Sequence, residues 1–282
     1  MSTGLSNGGL SADDVGVAPV TTSELSAEHA RRVAAVLDTD DELTDGSPLP
    51  LLWHWAFFAP AVPTAGLGPD GHPRMSPGGP TADLPRRMWA GGRVRAHEAL
   101  LVGTPATRRS RVAQAERKSG RSGDLLVVTV EHQIEQVDRV VITEEQDLVY
   151  RSASGAPVDA PTGDQQPDVP AGGWSDRVTM DPVTLFRFSA ITFNSHRIHY
   201  DLPYATAEEG YPALVVHGPL TAMLLAGSSR RRDRPGASFE FRASAPVFAG
   251  IPFSLVGQPD DEWIELRAVR NDGAVAMTAR LA

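Results

Sequence analysis

Residues 186–225 read FRFSAITFNSHRIHYDLPYATAEEGYPALVVHGPLTAMLL, and here polar and aromatic side chains concentrate against the blander composition of the rest of the 282-residue chain. Of the eight histidines, His196, His199 and His217 fall inside it. Its end decides the architecture. Leu220, Met223, Leu224 and Gly227 recur at helical spacing, and Leu225 and Ala226 widen the apolar surface, the pattern of a helix buried at the centre of a domain. Pro219 sits where a first helical position belongs, with Gly218 just before it.

Downstream, three stretches alternate with the two-residue period of a strand: 238–245 through Phe239, Phe241 and Ala243; 262–270 through Ile264, Leu266 and Ala268; and 274–281 through Val275, Met277, Ala279 and Leu281. Each buries one face, so an antiparallel sheet covering the central helix is the economical arrangement. Upstream, SASGAPVDAPTGDQQPDVPAGG is dense in proline and glycine and reads as a linker over 152–174. Before it, 93–102, 106–117, 123–136 and 138–150 alternate or carry β-branched runs, clearest in DLLVVTVEHQI and DRVVITEEQDLVY, and predict an antiparallel meander. Residues 61–83, around GLGPDGHPRMSPGGP, read as a long loop, and PLPLLWHWAFFAP (48–60) as a short buried helix or strand. A helix is expected at 27–38, with Ser26 as N-cap and Glu28 in its first turn.

The expected fold class is α+β. Its parts are a flexible tail over 1–22, a first half over 23–151, the linker, and a second half over 175–282. Two halves that each suggest a helix against a sheet point to a structural duplication, unaccompanied by a visible internal sequence repeat.

With 26 Lys and Arg against 35 Asp and Glu, the net charge is −9, which repels phosphate backbones and argues against general nucleic-acid binding. No apolar run reaches the roughly 18 to 20 residues of a bilayer span, and the first residues lack a signal-peptide pattern. A soluble cytoplasmic protein without membrane partners is expected. Cysteine is absent, which removes disulfides, thiolate nucleophiles and cysteine-ligated metals. His196, His199 and Asp201 lack a His-Glu-x-x-His arrangement, and no metal is expected.

The 186–225 stretch resembles the hydratase signature of the MaoC-like, hot-dog-fold enoyl-thioester hydratases and dehydratases. LPLLWHWAFF, LPRRMWAGGR, GRSGDLLVVTVEH and EEQDLVYR extend the resemblance through the first half, toward the subgroup of mesaconyl-C4-CoA hydratase, itaconyl-CoA hydratase and type 2 3-hydroxyacyl-thioester dehydratase. The family pattern Asp-x-Asn-Pro-x-His falls on Asn194, Ser195, His196, Arg197, Ile198 and His199. Only the last His is retained, and the amide Asn194 stands where the family has an acid. The resemblance implies a double hot-dog, two antiparallel sheets each wrapping a helix and joined edge to edge. It also implies a homodimer, and an acyl-CoA substrate with no cofactor beyond the coenzyme A of that substrate.

Adding water across an enoyl thioester needs a base for the water, a proton at the α-carbon and stabilisation of the enolate oxygen. His199 is the candidate base, able also to return a proton to carbon, and Asn194 can hold the water through its amide. Gly218, at a helix start where N–H groups point outward and no Cβ intrudes, is the candidate oxyanion donor. The plainer readings are a hydrogen-bonded structural histidine at 199 and a simple helix cap at 218. Arg187, Arg197, Tyr204, Tyr211 and His217 are candidates for lining the acyl site, with Arg86 and Arg87 as further partners for a substrate carboxylate. Arg230, Arg231 and Arg232 are candidates for the coenzyme A phosphates or, equally, a solvated helix end.

The expected activity is reversible hydration of a short branched dicarboxylic enoyl-CoA, of the mesaconyl or itaconyl kind, giving a citramalyl-CoA. The alternatives are a fatty-acid or polyketide 3-hydroxyacyl-thioester dehydratase and a non-catalytic acyl-thioester binding protein.

Overall fold

The computed structural model describes residues 3–4, 11–15, 17–74, 81, 83–84, 86–120, 123–152 and 158–282. In the second half the alternating stretches become β8 (Ser238–Ala243), β10 (Ile264–Arg270) and β11 (Val275–Leu281), as the periodicity predicts. They wrap α4 (Gly218–Arg230), whose Leu220, Ala222 and Leu225 are completely buried. Full burial of each leucine contributes roughly 2 kcal/mol, so this helix anchors its half. The helix starts one residue earlier than expected, with His217 as N-cap, Gly218 first in the helix and Pro219 second.

Two strands of this sheet escape the sequence pattern. β9 (Phe253–Pro259) pairs with β10 and is buried over Phe253–Gly257, so it shows no polar alternation. β7 (Trp174–Val178) adds to β9 at the sheet edge. The linker therefore ends at 173 rather than 174; of it, residues 153–157 lie outside the described residues.

The first half holds β3 (Arg86–Ala96), β4 (Ala106–Gly120), β5 (Gly123–Gln136) and β6 (Arg139–Arg151). Only β4, β5 and β6 form the expected meander. β5 turns into β6 through Val137 and Asp138, both at positive φ, the geometry of a type I′ hairpin. The strand expected at 93–102 runs instead over Arg86–Ala96, and it does not join β4. It lies on the far side of β6 and pairs with β8 as well, from Gly91 opposite Arg242 to Arg95 opposite Ser238. That pairing joins the two halves edge to edge into one sheet of eleven described strands.

Residues 1–22 are not simply a loose tail. β1 (Thr3–Gly4) and β2 (Val20–Ser23) both pair with β4, and Val15 and Val17 are buried against Leu126, Leu148 and Tyr150. The Tyr150 hydroxyl donates to Val15 O at 3.0 Å. Sparse valines without period gave no signal, yet they cover the open sheet face.

The first half also does not wrap its helix as expected. α1 (Ala27–Val36) is capped by Ser26, whose hydroxyl accepts from His29 N at 3.3 Å. It packs chiefly on α2 (Pro182–Thr192) and on a 3-10 turn at Trp53–Ala56. That turn, from the ambiguous 48–60 segment, is what faces the sheet, with Trp53, Ala56, Phe57 and Phe58 in one core with Ile134 and Ile142. Between this plug and the buried Ala12, Val15 and Val17 the sheet face is left partly open.

Candidate active site

α2 begins at Asp181, whose carboxylate accepts from Thr184 N at 2.7 Å, and ends where Phe193 turns left-handed at φ 52°. The reversal puts Asn194 and His196 on the wall of a cavity of about 1140 Å³. A 3-10 turn at Arg197–His199 and α3 (Leu202–Ala207) follow. Val215 N donates to Ile198 O at 3.0 Å, while His199 Nδ1 donates to Val215 O at 2.7 Å. A carbonyl only accepts, so Nδ1 carries the ring proton and Nε2 keeps its lone pair.

His199 is 7% exposed and lies on the cavity wall with Gly218 and Asn194. Burial pushes its pKa down to about 4, so the ring is neutral at pH 7. His217 stacks on it, with centroids 3.7 Å apart and planes at 19°. His217 is itself fully buried, hydrogen-bonded through Nε2 to Ser189 Oγ at 2.9 Å, and held well below the usual imidazole range by that burial. It backs His199 rather than lining the cavity, which differs from the expected contact with substrate.

Gly218 follows directly, and its N–H is among those at a helix start that have no intrahelical acceptor. A Cβ there would stand 2.9 Å from Trp89 Cε3. The Trp89 ring is fixed against Phe241 at 4.3 Å and Trp55 at 5.1 Å between centroids, so only glycine fits this approach. Asn194 Oδ1 accepts from His196 N at 3.0 Å, which leaves its amide N–H groups to donate elsewhere.

The part of the predicted loop at 61–74 carries polar residues of the cavity wall that the sequence does not single out. Arg197 N donates to Asp70 O at 2.8 Å and Ser195 Oγ to Gly71 O at 2.5 Å. Gly71 sits at φ +90°, and a Cβ on it would lie 1.8 Å from Ser195 O, so the loop is pressed directly onto the signature. It brings Asp70 and His72 onto the cavity wall. His72 Nδ1 and Asp70 Oδ2 are 2.9 Å apart. Burial raises the Asp70 pKa, but the hydrogen bond and charge of His72 outweigh it and hold the carboxyl below its usual range. The His72 ring lies 4.0 Å from that of His196, which stands edge-on to His199 at 5.4 Å. Burial above all, with His72, His199 and Arg87 nearby, presses His196 far below the normal range. Asp70, His72 and His196 bring donor atoms within 4.8 Å of one another, but Asp70 and His72 already satisfy each other.

A second buried polar group lies deeper in the first half. Glu144 accepts from Trp55 Nε1 at 2.8 Å and Gln146 Nε2 at 2.7 Å, and pairs with His54 Nε2 at 3.0 Å. Burial opposes its ionisation, yet His54 above all pulls the carboxyl down to about 2. Beside it, Arg108 lines the cavity with its guanidinium 5.6 Å from the Phe58 ring centre. Its Nε is buried without a hydrogen-bond partner. Desolvation lowers its pKa, against the pull of Glu144. A charged residue at an inward position of β6, between Ile142 and Leu148, was the signal available for this group.

The other candidates divide. Tyr204 and Tyr211 line the cavity; burial, helped by Glu209, raises the Tyr204 phenol to about 12. Arg187 is exposed on α2 and off the cavity. Arg197 is a clasp: it pairs with Asp201 at 2.7 Å, donates to Pro69 O at 2.9 Å and lies over the Tyr204 ring. Asp201 is thereby engaged away from His196 and His199. Arg230 pairs with Asp41 and lines a separate cavity of about 640 Å³. Arg231 and Arg232 both pair with Asp176, off the His199 cavity, their charge answered within the fold. Arg86 and Arg87 both line the cavity, and Arg86 pairs there with Glu209 at 3.1 Å.

Comparison with known proteins follows the same lines. The model of the hydroxyacyl-thioester dehydratase type 2 family matches residues 52–249. The chain is 50% identical over 237 residues to mesaconyl-C(4)-CoA hydratase of Chloroflexus aurantiacus, covering 84% of each. It is 28% identical over 242 residues to the mitochondrial hydroxyacyl-thioester dehydratase type 2 of Schizosaccharomyces pombe, covering 76% of this chain and 79% of the other. In structure it superimposes on a Mycobacterium tuberculosis protein described as a double hot-dog fold, with TM-score 0.59, 15% identity and 98% of each chain covered.

Proposed function

Because this chain belongs to the hydroxyacyl-thioester dehydratase type 2 family, and hence to the MaoC-like hot-dog lyases, we propose that it reversibly hydrates a short branched dicarboxylic enoyl-CoA, mesaconyl-C4-CoA foremost, to a citramalyl-CoA. It is an enzyme acting on CoA thioesters. The observation that carries the reading is His199: a neutral imidazole with Nδ1 fixed on Val215 O, facing a cavity it shares with the glycine that starts α4.

In this reading the thioester carbonyl lies against the Gly218 N–H and the acyl group extends toward the first-half sheet. Asn194 holds a water, His199 Nε2 takes its proton as oxygen bonds to the β-carbon, and the enolate oxygen is received by Gly218. One oxyanion donor commonly contributes ~3 kcal/mol to the transition state. A proton must then reach the α-carbon, and the amide of Asn194 has no ionisable one to give. The dicarboxylate is supported by Arg108, a guanidinium on the cavity wall with no ion pair among the described residues. Such a group suits a carboxylate and penalises an apolar chain.

Itaconyl-CoA fits the same features, and the reading includes a cytoplasmic homodimer on the resemblance. No helix among the described residues is long and apolar enough to cross a membrane. The test is a panel of enoyl-CoA thioesters with and without a terminal carboxylate, followed by loss of enoyl absorbance. Turnover of the uncharged members alone overturns the dicarboxylate; turnover of none overturns the lyase.

A further inference from the structure

The site holds a second proton-bearing pair beyond the hydratase signature. Asp70 and His72 come from a proline- and glycine-rich loop more than a hundred residues upstream of His199, yet they stand on the same cavity wall. They are not there by loose drape. The loop is fastened by Arg197 N to Asp70 O, Ser195 Oγ to Gly71 O and Arg197 Nη1 to Pro69 O, and Gly68 N closes it internally on His72 O at 2.7 Å. A turn serving only its own backbone needs no such fastening to residues 195–197. With Nδ1 facing the Asp70 carboxylate, His72 has Nε2 left for another partner. A carboxylate on Nδ1 fixes the tautomer and stabilises the imidazolium that forms when the ring takes a proton.

We propose that His72, oriented by Asp70, is the second proton carrier of the reaction and protonates the α-carbon while His199 serves the water. The proposal rests on the hydratase reading above. Water gives a proton to His199 Nε2 as its oxygen bonds to the β-carbon, and the π pair of the double bond shifts to make the thioester enolate. His72 enters the cycle as the imidazolium paired with Asp70; the enolate pair takes its Nε2 proton at the α-carbon, the enolate oxygen becomes a carbonyl again, and His72 is left neutral with its Nδ1–H still donated to Asp70. His199 then gives up its proton to the water of the cavity, and His72 regains one from it. Each cycle consumes one water and leaves every side chain as it began. The pair fills the vacancy that Asn194 leaves at the acid position of the signature, and Asp70 is a positioning residue.

The test is hydration of mesaconyl-C4-CoA by the parent, His72→Ala and Asp70→Asn, with thermal unfolding measured on each. The expected result is a fall in kcat of about 100-fold for His72→Ala with KM within about threefold, and partial recovery on adding free imidazole. Asp70→Asn should fall about tenfold and shift the pH profile of kcat, which a purely structural contact would not do. A His72→Ala enzyme within about threefold of the parent overturns the proposal, as does a loss that imidazole does not restore. Loss of parent activity on chelation, regained with a divalent cation, also overturns it, in favour of a metal held by Asp70, His72 and His196. A parent inactive on every enoyl-CoA refutes the hydratase reading instead, and is distinguishable from all of these.

Discussion

The imidazole of His217 lies flat against that of His199, 3.7 Å between ring centres, and its far edge is tied to Ser189. The residue that precedes Gly218 thus also sets the plane of the His199 ring. Replacing His199 by Gln should lower kcat by roughly 10²- to 10⁴-fold, the range for loss of a positioned base. His217→Leu should cost about tenfold or more, since misplacement of a reacting group by about an ångström is expensive. Because His217 acts through His199, the double variant should be no slower than His199→Gln alone. Additive losses, measured in kcat, would contradict this.

Gly218→Ala puts a methyl 2.9 Å from a tryptophan ring that Trp55 and Phe241 prevent from yielding. The helix start must shift, and kcat/KM should fall about 10² to 10³-fold as the oxyanion donor moves. Adding Trp89→Leu to Gly218→Ala should recover part of the loss by making room. No recovery in the double variant would mean that the glycine is needed for something other than space.

Arg108→Met separates the substrates. If the guanidinium receives the free carboxylate, kcat/KM on mesaconyl-C4-CoA should fall by about 10- to 100-fold, the worth of a charge-assisted hydrogen bond of roughly 1.5 to 3 kcal/mol. On crotonyl-CoA, which carries no carboxylate, the same variant should hold its rate or gain. Equal losses on both, read from parallel kcat/KM measurements, would remove Arg108 from substrate recognition.

Stability should decline in mild acid. Burial holds His132 and His199 at about 4, against 6.5 for an ordinary imidazole. Between those values the unfolded chain binds protons that the native state refuses, so the contribution is whole above pH 6.5 and is lost as pH falls toward 4. Each ring costs roughly 1.4 kcal/mol per pH unit in that window, about 4 kcal/mol for the pair by pH 5. Glu144, held at about 2 against 4.5, extends the loss to lower pH. Thermal unfolding at pH 7 and pH 5 checks this; an unchanged Tm would contradict it.

The central helix and three strands of its sheet were legible because each rests on local periodicity; His199 and Gly218, singled out through the family resemblance, stand together on one cavity wall. β9 was hidden because its first residues are buried on both faces and so lack alternation. β3 was displaced in the reading because its apolar and charged residues serve two different neighbours, β6 and β8. Asp70 and His72 were passed over for a related reason. Proline and glycine mark where regular structure stops, and nothing local says that the irregular segment is pinned to residues 195–197. Arg108 reads as one more strand arginine beside Arg109; only the fold shows that one faces the cavity and the other solvent.

Strand β3 carries β6 on one edge and β8 on the other, and so it stitches the two halves in a fixed register. Two identical copies meeting by symmetry would be obliged to change together, since any mutation reshaping one acyl wall would be repeated beside the other set of histidines. Fusion into one polypeptide lifts that obligation. The wall around Arg108 is free to be enlarged, emptied or recharged by drift in the front of a single gene while the proton-handling side stays as it is, which gives the scaffold a direct route to new acyl groups without touching its chemistry.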